Sequence, residues 1–229
     1  MMNSLIALLS IVGTLVIYTF ARQLHIRAAR TFTLPVITST FIILVILLTF
    51  HIPYETYMIG GDWINELLGP AVVALAYPLY QQRDILKQVM VPILCGALIG
   101  AIVGISTGIL LARWAGFDEL IIYSLTPKSV TTPVAMAVTE SLGGITPLAA
   151  VFVMIAGIGG VLMSAGIFKL FRIDHYLGRG VGLGSASHAM GTAKALESSL
   201  VEGSISTIAM VFSAILVSIL TPGMILLLM

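Results

Sequence analysis

A lysine stands in the run Leu125-Thr126-Pro127-Lys128-Ser129-Val130-Thr131-Thr132-Pro133-Val134, between two prolines and among four hydroxyl side chains. Its ammonium is a point charge with three donors, and the hydroxyls of Thr126, Ser129, Thr131 and Thr132 can donate beside it. Pro127 and Pro133 interrupt any helix through this run, so a half-helix starting near Val134 would present free N–H groups and a partial positive charge. Point charge, hydroxyls and dipole end together are the chemistry of an anion site. The plain alternative is that Lys128 snorkels to lipid headgroups while the threonines satisfy the backbone.

A second run, Gly184-Ser185-Ala186-Ser187-His188-Ala189-Met190-Gly191-Thr192-Ala193-Lys194-Ala195, offers a similar mix. On a regular helix His188 and Thr192 share a face, and Gly184 and Gly191 permit close backbone approach. His188 could carry a coupling proton, because imidazole titrates near neutrality, or it could hydrogen-bond a neighbouring helix. Glu140 and Glu197 each end the broken segment that holds one of these runs, either to neutralise Lys128 and Lys194 or to sit at the interface. Tyr77, Pro78 and Tyr80 form an opposite wall or an aromatic belt. No nucleophile triad, metal-ligand pattern or phosphate loop is present. The run Gly178 to Gly184 follows no strand. The expectation is therefore a non-enzyme without cofactor or metal.

The elements that must hold these residues follow from composition. The chain has 229 residues, 59% of them hydrophobic and 9% charged, with a mean hydropathy of +1.10. A soluble domain carries about 25% charged residues, so the solvent for this chain is lipid. Eleven basic and ten acidic residues with no basic tail exclude a nucleic-acid binder. The single cysteine, Cys95, has no disulfide partner and reads as a small buried hydrophobe.

A membrane-spanning helix needs about 20 apolar residues. Residues 4–21, 34–50, 89–112, 146–168 and 204–229 read as spans. The first has basic residues only after it, the reverse of a cleavable signal, and is expected to stay attached with its N-terminus outside. Segments 63–80, 118–141 and 184–202 are broken by Gly, Pro and hydroxyl residues, the first through Leu68-Gly69-Pro70-Ala71-Val72. Irregular backbone at membrane depth survives only beside protein or a watery cavity. The expected fold is thus an all-helical polytopic membrane protein, a single domain over 1–229, with seven or eight membrane segments, two or three of them discontinuous or re-entrant.

Eight of the eleven basic residues fall in three connectors: Arg22, Arg27 and Arg30; Arg83 and Lys87; Lys169, Arg172 and Arg179. The positive-inside rule assigns these to the cytoplasm. Two spans lie between the last two connectors, so 118–141 is expected to enter and leave on one side as a hairpin; a full crossing would put Lys169, Arg172 and Arg179 outside. Shifting 118–141 by 58 places sets Ser129 on Ser187, Ala135 on Ala193, Ala137 on Ala195, Ser141 on Ser199 and Leu142 on Leu200. Either an internal repeat or an Ala- and Ser-rich composition yields this. Paired interrupted segments point to a transporter site. Arg113 beside Trp114 reads as an interfacial anchor, and Gly96, Gly100, Gly104 and Gly108 as a close-packing helix face.

The run Leu125 to Pro133 followed by Ala135-Met136-Ala137, the run His188 with Gly191-Thr192-Ala193-Lys194-Ala195-Leu196-Glu197, and Leu68-Gly69-Pro70 with Pro78-Leu79-Tyr80 resemble the signature stretches of the CidB/LrgB family over nearly the whole chain. Lys194 departs from the arginine that relatives often carry. The resemblance implies a bacterial cytoplasmic membrane protein with one of two roles. One is a carrier of small monocarboxylates such as glycolate, glycerate or pyruvate. The other is a holin- or antiholin-like regulator of murein hydrolases and lysis beside a smaller CidA/LrgA-type partner. The residue chemistry favours the carrier, as a homo-oligomer in the bilayer, with Lys128, Ser129, Thr131 and Thr132 between Pro127 and Pro133 on one side of the substrate and His188, Gly191, Thr192 and Lys194 on the other.

Overall fold

Backbone groups in lipid have no water to bond, so a chain this apolar must satisfy them within each segment. The computed structural model, which describes residues 2–28, 33, 35–67, 70, 73–74 and 76–229, is accordingly helical, with no strand among the described residues. Arg30, Leu68, Gly69, Ala71, Val72 and Leu75 lie outside the described residues, as does the side chain of Pro78. The helices are α1 (Met2–Ala28), α2 (Pro35–Thr49), α3 (Tyr54–Glu66), α4 (Ala76–Gln81), α5 (Arg83–Trp114), α6 (Glu119–Leu125), α7 (Thr132–Ser141), α8 (Thr146–Leu170), α9 (Tyr176–Ser198) and α10 (Leu200–Leu228).

Four of them, α1 from Ser4, α5, α8 and α10, are long and apolar enough to cross a membrane. The span expected over 34–50 is a 15-residue helix. At 1.5 Å per residue that is about 22 Å, short of a hydrocarbon core of about 30 Å.

The chain divides into two compact units, residues 1–76 and Tyr77–Met229. In the first, α1 packs on α2 and α3. Gly60 lets α3 approach the Ala7 carbonyl, a Cβ there would stand 2.8 Å from that of Ser10, and the Thr14 and Tyr57 hydroxyls bond at 2.9 Å.

In the second unit α5 and α10 run parallel. Leu86 and Ile93 share a buried cluster with Ile205 and Ala209 near their N-terminal ends, and the Arg113 guanidinium donates to the Leu228 carbonyl at 2.6 Å at the other. Arg113 thus caps a helix end. Cys95, expected to be buried, is exposed. The buried stripe of α5 is Ile93, Ala97, Ala101, Ile105 and Ile109, four apart, and position 95 falls outside it. An apolar run facing lipid looks the same in sequence as one facing a core.

Two segments turn back on themselves. Across α9, His188 has φ 42° and ψ −128°, which breaks the helix. A straight helix would hold residue 191 about 12 Å along the axis from residue 183, yet Gly191 lies against the Leu183 carbonyl. Residues 176–187 climb alongside α10, Gly180 at the Glu202 carbonyl and Gly184 at the Ser206 carbonyl; residues 189–198 descend again, Thr192 at Ser206 and Leu196 at Gly203. Both ends of α9 therefore stand at the N-terminal end of α10. The chain between α5 and α8 does likewise. After α6 it turns through 126–131, and α7 brings it back so that Gly144 lies beside Tyr123 and the Ile145 N–H donates to Ser124 Oγ at 2.8 Å.

Candidate functional site

The first bend is held in the core by Val130, buried in one cluster with Ile105, Ile109, Ala135, Val153 and Val217. Pro127 is fully buried and Thr126 closes the end of α6 by donating to the Ile122 carbonyl at 2.6 Å. The half-helix expected from Val134 starts at Thr132, with Pro133 in its first turn and Thr131 as N-cap. Pro is favoured there because its missing N–H has no partner to lose. Thr131 makes no side-chain hydrogen bond to that turn, so its hydroxyl and the first N–H groups of α7 are not committed to each other. Ser129, Thr131 and Thr132 are half-buried; Pro133 and Glu140 are exposed.

Lys128 leaves the same bend and donates from Nζ to the Gly104 carbonyl at 3.1 Å. Gly108 makes room, since a Cβ there would meet Nζ at 2.6 Å. Among the described residues no carboxylate lies within ion-pair distance of this ammonium. It lines a pocket of about 270 Å³ with Thr107, Gly108, Leu111, Ala112, Phe117 and Leu125, so one cation and one hydroxyl face an otherwise apolar cavity.

The glycine face of α5 is filled from within the chain and joins the two bent segments. Gly96 takes Val181, Gly100 takes Ser185, Gly104 takes Ser129 and Gly108 takes Lys128. Gly100 and Gly104 are one turn apart, about 6 Å, so Ser185 of the second segment and Ser129 of the first are neighbours. The second bend then turns to α8. His188 donates from Nε2 to the Val153 carbonyl at 3.1 Å, its ring lies over Gly157, and Ser187 fits against Gly160. A carbonyl only accepts, which fixes Nε2 as the protonated nitrogen.

The structure separates other residues grouped by sequence. His188 and Thr192 do not share a face, because the bend at His188 turns its ring to α8 while Thr192 bonds Ser206 Oγ on α10 at 3.0 Å. Gly191 is buried in the crook of the bend. Lys194 pairs with Glu197 at 2.9 Å on a partly exposed surface and is not brought to Lys128. Tyr77 and Tyr80 are exposed, Tyr77 bonded to Gln81 and Tyr80 beneath Arg83, as an aromatic belt would be.

Sequence reasoning passes over Glu202. With the last span read over 204–229, Glu202 is the last residue of the broken segment 184–202; it is in fact buried in the first turn of α10 with Arg179 at 3.7 Å. The signal for it is the Ser199-x-x-Glu202 capping pattern just before an apolar run.

Four helices long and apolar enough to cross a membrane, with two bent, hydroxyl-bearing segments, among the described residues define the class: an all-helical, multi-pass membrane protein. Residues 14–227 match the LrgB-like family, and the chain belongs to it. It is 45% identical over 222 residues to the uncharacterized protein YxaC of Bacillus subtilis strain 168, covering 97% of this chain and 96% of that one. It is 36% identical over 221 residues to the holin-like protein CidB of Staphylococcus aureus strain N315, covering 96% of each. To the holin-like protein CidB of Staphylococcus epidermidis strain ATCC 12228 it is 32% identical over 225 residues, covering 96% of each. No solved structure matches it. The relatives and the apolar helices make this a bacterial membrane protein.

Proposed function

We propose that the chain is a secondary carrier of a small monocarboxylate such as glycolate, glycerate or pyruvate, bound between two re-entrant hairpins. The observation that carries this reading is Lys128. An ammonium in a membrane segment costs about 2.5–3.5 kcal/mol on insertion scales, and here it is held by a neutral carbonyl at a small pocket, with no carboxylate beside it among the described residues. Such a charge awaits an anion. Ser129 packs at Gly104 beside it, Thr131, Thr132 and the first turn of α7 follow in the same bend as further donors, and Ser185 of the facing segment packs one turn of α5 away at Gly100.

The two segments support an inverted repeat. Each follows a long span, α5 or α8, and each bend sets a serine on a glycine of that span: Ser129 on Gly104, Ser187 on Gly160. These are the serines that coincide under the 58-residue shift. Hairpins entering from opposite sides with their bends meeting between the spans suit alternating access.

In this reading the connectors at Lys87 and Arg172 lie on one side. Single cysteines at these positions, in a Cys95-free background, are expected to resist an impermeant thiol reagent outside intact cells. Labelling at Arg172 alone would reject the hairpin for 118–141.

The holin-like name of the CidB relatives favours a second reading, a holin-like regulator, for which the family resemblance implies a CidA/LrgA-type partner. Purified protein in liposomes, without partner, separates the two. A carrier takes up labelled glycolate, glycerate or pyruvate saturably and with mutual competition. Leakage of an unrelated dye without saturation would favour the holin-like role.

A further inference from the structure

The carrier reading leaves one buried charge unexplained. Glu202 is 4% exposed in the first turn of α10, and its Oε1 has no hydrogen-bond partner. Arg179 Nε lies 3.7 Å away, too far for a hydrogen bond, and that nitrogen is unpartnered too. The reciprocal bond of a capping box is missing as well. Ser199 Oγ accepts from the Glu202 N–H at 3.1 Å, but the Ser199 N–H goes to the Ala195 carbonyl, so the carboxylate is not used as a cap.

No other charge faces it among the described residues. From the rising arm of α9 comes Arg179, its guanidinium over the Phe168 ring of α8 at 5.6 Å, while Lys194 and Glu197 on the descending arm pair with each other. From α5 come Leu86, Val89 and Ile93, while Arg83, Asp84 and Lys87 are exposed, as is Lys169 at the end of α8. A buried carboxylate with one loose counter-charge and an empty acceptor is unfavourable as an anion and is relieved by taking a proton.

We infer that Glu202 is the proton-binding group of this carrier and that Arg179 is the counter-charge it releases when protonated. The inference rests on the carrier reading. A proton from the water phase forms an O–H bond on a Glu202 carboxylate oxygen, and the neutral acid no longer holds Arg179, whose side chain is 38% exposed. Arg179 stands at the foot of 176–187, the arm that carries Ser185 and His188 to the bends. Gly180 and Gly184 pack this arm on α10 whatever the charge of Glu202, and protonation removes the ion pair that adds to this packing at the foot of one wall of the carboxylate site.

The test compares two assays on purified protein in liposomes with labelled pyruvate: accumulation driven by an inward proton gradient, and exchange at equal pH on both sides. Glu202→Gln is expected to keep exchange and lose accumulation, and the infrared band of a titrating carboxylic acid present in the wild type should be missing from it. Glu202→Asp, which retains a titratable group, should keep some accumulation. Accumulation by Glu202→Gln equal to wild type, loss of exchange together with accumulation, or an unchanged infrared titration would overturn the assignment. A wild type that neither accumulates nor exchanges any of the carboxylates overturns the carrier reading, and the coupling role with it.

Discussion

Lys128→Ala is expected to abolish carboxylate uptake in liposomes while the protein inserts and purifies normally. Removing a charge from a membrane segment relieves an insertion cost of about 2.5–3.5 kcal/mol, and the bond it breaks is to the Gly104 carbonyl, which also accepts from the Thr107 hydroxyl at 3.4 Å. Folding therefore has little to lose. Substrate has much more, because a hydrogen bond to a charged group is worth about 1.5–3 kcal/mol, and every 1.4 kcal/mol is roughly tenfold in affinity. Between about tenfold and a hundredfold is lost from the charge contact alone. Lys128→Arg should be impaired too, because a planar fork replaces a compact point charge. Uptake by the alanine variant at the wild-type rate would return Lys128 to a snorkelling role and remove the main support for a carrier.

Residue types alone make Lys128 legible. A lysine between two prolines in an apolar stretch has few explanations, and the break it implies is present at 126–131. Charge counting points to a hairpin there because it needs only the positions of basic residues. Harder to read is anything that depends on which face of a helix meets protein. Cys95 and Ile93 are both apolar and two apart, yet one faces lipid and the other the core. A break within 184–202 is legible from its glycines, but its place is not: it falls at His188, whose type does not call for φ 42°, rather than at Gly184 or Gly191. Those glycines serve close packing instead, against the Ser206 and Leu183 carbonyls. Helical spacing from His188 to Thr192 puts the two on a common face, an error that follows from the misplaced bend. Glu202 escapes because a carboxylate near a span end usually meets water, and only its packing against α9 buries it.

His188 is expected to show a stability order set by its backbone and a transport loss set by its ring. A non-glycine residue at φ 42°, ψ −128° sits in a sparsely populated region, at a cost of about 1–3 kcal/mol. It persists because the Val153 carbonyl and the space over Gly157 hold the ring in place. His188→Gly and His188→Ala both lose that ring, but only glycine relieves the strain, so in detergent the glycine variant should be more stable than the alanine one by about 1–3 kcal/mol. Equal stabilities would mean that the chain does not turn at this residue. Transport should fall in both, since the second bend loses its anchor on α8. His188→Gln separates anchoring from proton carriage. With its Nε2–H committed to Val153, the imidazole acts as a fixed donor, and the amide that replaces it should lower proton-driven accumulation and equal-pH exchange together. Survival of exchange with loss of accumulation would instead give the coupling proton to His188 and take it from Glu202.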